Sequence, residues 1–151
     1  MSKPLNKPPL SPLLIAPCGM NCGLCSGYLA YSHHLKKVRG KIHYCIGCRI
    51  RNKQCAFLKG RCKNKNLING KNNYCFSCSF FPCKSLKVID GRYCQRYNMS
   101  MIENLKYLKK HRMKKFLAEE HKKWRCPKCG DIRCCHNGKC YNCDKIKSWK
   151  G

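Results

Sequence analysis

The chain has 151 residues, 17 of them cysteine, and sets 33 Lys and Arg against six Asp and Glu for a formal charge of +27. Leu, Ile, Val and Phe together fill only 29 positions, a level at which so charged a chain cannot bury enough apolar surface to offset the entropy of ordering it. An ordinary hydrophobic core is therefore excluded as the main source of stability. Thiolate-bound metal must take that place, since one structural zinc returns about 10–16 kcal/mol against a whole-domain stability of about 5–15 kcal/mol.

Residues 1–16 hold Pro4, Pro8, Pro9 and Pro12 with Lys3 and Lys7, the composition of a flexible basic arm. Their one apolar run, Leu13 to Ala16 closed by Pro17, is too short for a signal sequence or a membrane span. An odd cysteine count without a secretory leader argues against a disulfide framework. The expectation is a cytoplasmic protein with reduced thiols and no membrane partner.

Residues 17–98 read as a cysteine-rich metal-binding domain of loops and single helical turns. Leu24, Tyr28, Tyr31 and Leu35 recur at three- and four-residue intervals and predict one helix from about Leu24 to Lys37. Cys22-x2-Cys25 and Cys45-x2-Cys48 are separated by nineteen residues, a spacing that reads as zinc. Cys55, Cys62, Cys75 and Cys78 can close another tetrahedral site, which leaves Cys18 and Cys83 outside this pairing. Cys18-x3-Cys22-x2-Cys25 with Cys83 also suits a [4Fe–4S] cluster, because soft thiolates serve zinc and iron–sulfur alike.

Residues 99–123 form a helical segment. Ser100 and Glu103 make a capping box, and Ile102, Leu105, Leu108, Met113, Phe116 and Leu117 supply an apolar stripe backed by lysines. One helix, or two broken near His111, both satisfy the pattern. Residues 124–144 carry Cys126-x2-Cys129-Gly130 and Cys140-x2-Cys143 around Asn137-Gly138, a dipeptide favoured in two-residue hairpin turns. These four thiols predict a zinc ribbon, with Cys134 and Cys135 as packing residues and His136 in the turn, and residues 145–151 form a basic tail. The expected fold is a small metal-stabilised α+β protein: an irregular zinc-binding domain, a short helix or helix pair, and a C-terminal ribbon hairpin.

No acidic residue precedes Asp90, so residues 1–89 hold 16 basic side chains against none. Such a field attracts polyanions, and RNA, the ribosome or DNA are the expected partners. Arg49, Arg51, Arg61 and Lys63, beside the knuckles, are the expected phosphate contacts, while Tyr44, Phe57, Tyr74 and Phe76 can stack on bases or pack around metal. The six carboxylates form no acid–base pair, and no G-x-S-x-G, P-loop or H-E-x-x-H pattern occurs. A binding module, not an enzyme, is the expectation; an iron–sulfur redox or sensing protein and a metal-scaffolded protein–protein adaptor are the alternatives.

Ala16-Pro17-Cys18-Gly19-Met20-Asn21-Cys22-Gly23-Leu24-Cys25, Cys45-Ile46-Gly47-Cys48 and Tyr74-Cys75-Phe76-Ser77-Cys78 through Phe81-Pro82-Cys83 resemble a cysteine-rich prokaryotic family, "domain of unknown function 3795". Asn98 to Leu105 and the ribbon from Trp124 to Cys143 resemble the tail of its longer members. The resemblance implies a metal-binding protein of no assigned reaction. Cys94 and Cys135 depart from the family pattern, which implies that they are not ligands, whereas Cys18 and Cys83 fit it.

Overall fold

The computed structural model describes residues 10–50, 60–62 and 73–148. Three helices carry the fold among them: α1 (Ser26–Ser32), α2 (Lys84–Tyr97) and α3 (Met101–Trp124). Short 3-10 turns lie at Pro12–Leu14, Cys22–Leu24 and Cys75–Ser77. No strand forms among the described residues, which contain only the isolated bridges Ile15–Asn21, Arg125–Ile132 and Arg133–Cys140.

The expected α+β class and ribbon hairpin are thus corrected to a small, mostly helical protein. The cause is local. Gly138 N–H donates to Cys134 O at 2.9 Å, closing a helical-type turn over Cys135–Asn137, so Asn137-Gly138 does not form the centre of a two-residue turn and pairing ends at one bridge.

α1 is half the length that its apolar spacing predicts. His34 adopts a left-handed φ of 54°, and the N–H groups of His34 and Leu35 return to Tyr31 O (3.2 Å) and Ala30 O (3.0 Å). That is a Schellman closure, which satisfies the last carbonyls and stops the helix at Ser32. α2 falls in the cysteine-rich segment, whose composition predicts only loops and single helical turns. Leu86, Ile89 and Tyr93 follow helical spacing and face the main core, and Asn98 ends the helix in the left-handed region with φ 51°.

At the start of α3, Ser100 Oγ accepts from Glu103 N–H at 3.0 Å, which is half of the expected capping box. The other half differs. Asp90, from α2, accepts from Ser100 Oγ (2.8 Å) and Ile102 N–H (3.0 Å), while Glu103 pairs with Lys106 at 3.5 Å. Arg112 interrupts α3 with φ 68° and ψ 173°, so the stripe belongs to two helical halves meeting at a kink.

The main core gathers Leu14, Leu24, Leu86, Met101, Leu105, Trp124 and Ile132 with the thiols of Cys18, Cys22, Cys48, Cys75 and Cys135. Aliphatic residues and cysteines share one interior, as the composition requires. No helix among the described residues is long and apolar enough to cross a membrane.

Candidate metal centre

After α3 the chain makes two cysteine turns. Gly130 N–H donates to Cys126 O at 2.9 Å, with Gly130 at φ 79°, and Asp144 N–H donates to Cys140 O at 2.8 Å. Cys126 N–H reaches Asp131 O at 2.6 Å, closing the first loop. These turns bring Cys126, Cys129, Cys140 and Cys143 together, with all four sulfurs within 4.8 Å of one another. Cys129 Sγ and Cys140 Sγ are 3.5 Å apart. A tetrahedron with Zn–S bonds of about 2.3 Å has edges of about 3.8 Å, so this donor set fits a single thiophilic ion.

Burial pushes the Cys129 thiol up, but hydrogen bonds from Asn142, the Asp131 backbone and the sulfurs of Cys143 and Cys140 outweigh it and bring the thiol down to about 7. Cys140 is pushed up, first by burial and then by its sulfur neighbours. One thiolate is thus favoured while Cys140 holds its proton, and a divalent cation would stabilise further thiolate charge.

The quartet is fastened to the N-terminal half at three places. Cys135 N–H donates to Leu24 O at 3.0 Å. His33 Nε2 lies 2.7 Å from Asp131 Oδ2, and its Nδ1 lies 2.9 Å from Leu29 O. Both oxygens only accept, so both ring nitrogens carry hydrogen, consistent with the upward push on the His33 pKa from its hydrogen bond to Asp131. His136 Nδ1 accepts from Ser26 N–H at 3.3 Å, which leaves Nε2–H to meet Tyr93 Oη at 3.2 Å. Burial lowers the His136 pKa and keeps this neutral form. Sequence spacing gave no signal for either histidine lock, because each partner lies about a hundred residues away in the chain.

Among the N-terminal cysteines, Cys25 N–H returns to Cys22 O at 3.1 Å, and Gly47 N–H points at Cys45 Sγ at 3.5 Å. Cys45 N–H donates to Gly27 O at 3.1 Å, bringing the second pair against α1. A Cβ on Gly27 would lie 3.1 Å from Cys45 Cβ, a tight approach that glycine accommodates without displacing Cys45. Cys25 is pushed up by burial and further by the charge of Cys45. Cys62, Cys75, Cys78, Cys18 and Cys83 lie around the start of α2 and the Pro17 loop, and Cys55 lies outside the described residues.

The two cysteines set aside by family pattern are not in the quartet. Cys94 is exposed on α2 with Sγ 3.7 Å from Asp90 Oδ2. Cys135 is buried in the main core, whereas Cys134 packs with Leu29, Ala30, Ile42 and Tyr141.

Arg49 does not point outward as a free phosphate ligand. Its Nε and an Nη donate to Ile15 O (2.6 Å) and Asn73 O (2.7 Å), and its guanidinium lies 4.4 Å from the Tyr74 ring centroid. Tyr74 stacks on Phe76 at 5.3 Å, and both pack against the core. Tyr44 is exposed, its hydroxyl donating to Leu35 O. Arg61 is exposed, and Arg51, Lys63 and Phe57 lie outside the described residues.

Residues 14–88 match the family described as "Protein of unknown function (DUF3795)". Over that segment the chain is similar to this family. No curated protein and no solved structure matches it. The family segment contains the N-terminal cysteine turns and the start of α2, while α3 and the quartet lie beyond it.

Proposed function

We propose that this protein is a zinc-scaffolded nucleic-acid-binding module. Zinc is the preferred ion of a closed all-thiolate tetrahedron, and Cys126, Cys129, Cys140 and Cys143 supply one donor each. The observation that carries the binding reading is the cationic side of α3. Lys106, Lys109, Lys110, Arg112, Lys114, Lys115, Lys122 and Lys123 are all exposed. Only Lys106 and Lys122 among them have a carboxylate partner, at 3.5 and 3.6 Å from Glu103 and Glu119. Phosphate contact therefore falls to α3 and Arg61 more than to Arg49, whose donors serve backbone carbonyls.

The test is the salt dependence of RNA and DNA binding. Each neutralised duplex phosphate contributes about 0.9 to the slope of log K against log salt. Replacing Lys109, Lys110, Lys114 and Lys115 by Gln should flatten that slope on duplex by up to about 3.6 while bound metal stays constant. A wild-type protein that binds neither RNA nor DNA at about 50 mM salt refutes the reading.

A further inference from the structure

A second set of thiols converges away from the quartet. Cys75 is buried, and its N–H donates to Pro17 O at 2.8 Å, which lays the Cys75–Ser77 turn against the loop that carries Cys18. Cys78 N–H returns to Cys75 O at 2.9 Å, and Phe80 N–H lies 3.4 Å from Cys78 Sγ. An N–H directed at sulfur after a C-x2-C turn is the local geometry that supports a metal-bound thiolate. Cys83 is the N-cap of the 14-residue α2, its Sγ accepting from Leu86 N–H at 3.4 Å. Cys18 and Cys75 belong to the main core, and Cys83 and Cys62 pack on it.

We propose that Cys18, Cys75, Cys78 and Cys83 hold a second thiophilic metal centre, with Cys62 at its edge. This partition differs from those that spacing suggests, because it takes Cys75 and Cys78 away from Cys55 and joins them to Cys18 and Cys83, which spacing either leaves outside the zinc sites or groups with Cys22 and Cys25. The Cys75-to-Pro17 hydrogen bond is what makes the difference. Thiols gathered in one interior are the donor set that a soft metal prefers. Among the described residues the ribbon quartet alone brings its ligand atoms within 4.8 Å of one another. The thiols around Cys75 are not gathered to that distance, and a mononuclear centre and an iron–sulfur cluster are the two forms that the metal analysis separates.

The deciding variant is Cys83→Ser. Serine is itself a good N-cap, so α2 keeps its start while the centre loses a sulfur. Full-length protein purified anaerobically is assayed for zinc, iron and acid-labile sulfide per chain, with helicity followed by far-UV circular dichroism. Cys83→Ser and Cys18→Ser should each lose one metal centre at unchanged helicity, and the double variant should lose no more than either alone. Loss of one zinc identifies a mononuclear centre, and joint loss of iron and sulfide identifies a cluster; both support the proposal. Unchanged metal content in Cys83→Ser, or loss of two separate centres in the double variant, overturns it. If Cys18→Ser fails to fold, Cys78→Ser paired with Cys83→Ser gives the same comparison.

Discussion

Gly19 is where the cysteine loops meet the helical half, and Gly19→Ala tests that junction. Its φ is +89°, and a Cβ there would lie 2.4 Å from Met101 O and 2.8 Å from Leu105 Cγ. Neither neighbour can move freely, since Met101 and Leu105 are fully buried in the first turns of α3. Asn104 Nδ2 also donates to Gly19 O at 2.9 Å, holding the helix on the loop. The positive φ costs an L-residue about 1–2 kcal/mol, and forcing added volume against packed backbone costs about 1–3 kcal/mol. Together they predict a loss of about 2–5 kcal/mol, read from urea unfolding at fixed free zinc. Gly91, in the interior of α2, is the control: a Cβ there meets nothing within 4 Å, so Gly91→Ala should add about 1 kcal/mol through helix propensity alone. A Gly19→Ala loss below about 1 kcal/mol would refute the close packing of α3 on the Cys18 loop.

Asp90→Ala removes the acceptor shared by Ser100 Oγ and Ile102 N–H, and should cost about 1–2 kcal/mol in the same unfolding assay; no loss would show that Ser100 caps α3 unaided. Glu120 is buried, with Oε2 accepting from Asn21 Nδ2 at 3.1 Å, and burial raises its pKa above the ordinary 4.5. Folding therefore favours the protonated form, so its contribution is complete below 4.5 and is lost as pH rises through the elevated folded value. Glu120→Gln should flatten the stability profile over that window and leave the variant more stable than the parent at neutral pH; an unchanged profile would refute the assignment.

The residue spacings that were legible in the sequence are those whose chemistry is local. Cys126, Cys129, Cys140 and Cys143 meet because two short turns suffice to place them. The start of α3 was legible for the same reason, since Ser100 caps a helix that begins one residue later. Where long-range contacts decide, spacing misled. α1 stops at Ser32 although the apolar pattern continues to Leu35, because Leu35 N–H turns back to Ala30 and packs into the cluster around Leu29 and Tyr141. α2 lies in the cysteine-rich segment, where Leu86, Ile89 and Tyr93 give a helical period of only three apolar positions among closely spaced thiols. Arg49 looked like a surface cation, and only the fold shows the carbonyls of Ile15 and Asn73 that occupy it.

The same contacts bear on how metal and fold depend on each other. Trp124 at the end of α3 and Ile132 and Cys135 from the quartet's loops lie in one core with Leu24, Cys22 and Cys48 from the matched segment. Cys135 N–H to Leu24 O and the pairs of His33 with Asp131 and His136 with Ser26 cross the same junction. A quartet excised from the chain would expose that face and lose those partners, so metal at Cys126, Cys129, Cys140 and Cys143 is coupled to the packing of α1. Positive charge is divided in the same way. Arg49 is held within the fold by the carbonyls of Ile15 and Asn73 and the Tyr74 ring, whereas the lysines of α3 have mostly solvent to face. Even four tetrathiolate zinc centres, each contributing about −2, would leave the chain near +19. The outward excess must therefore be matched by counterions or by a polyanion, and release of those counterions is the driving force that the salt titration measures.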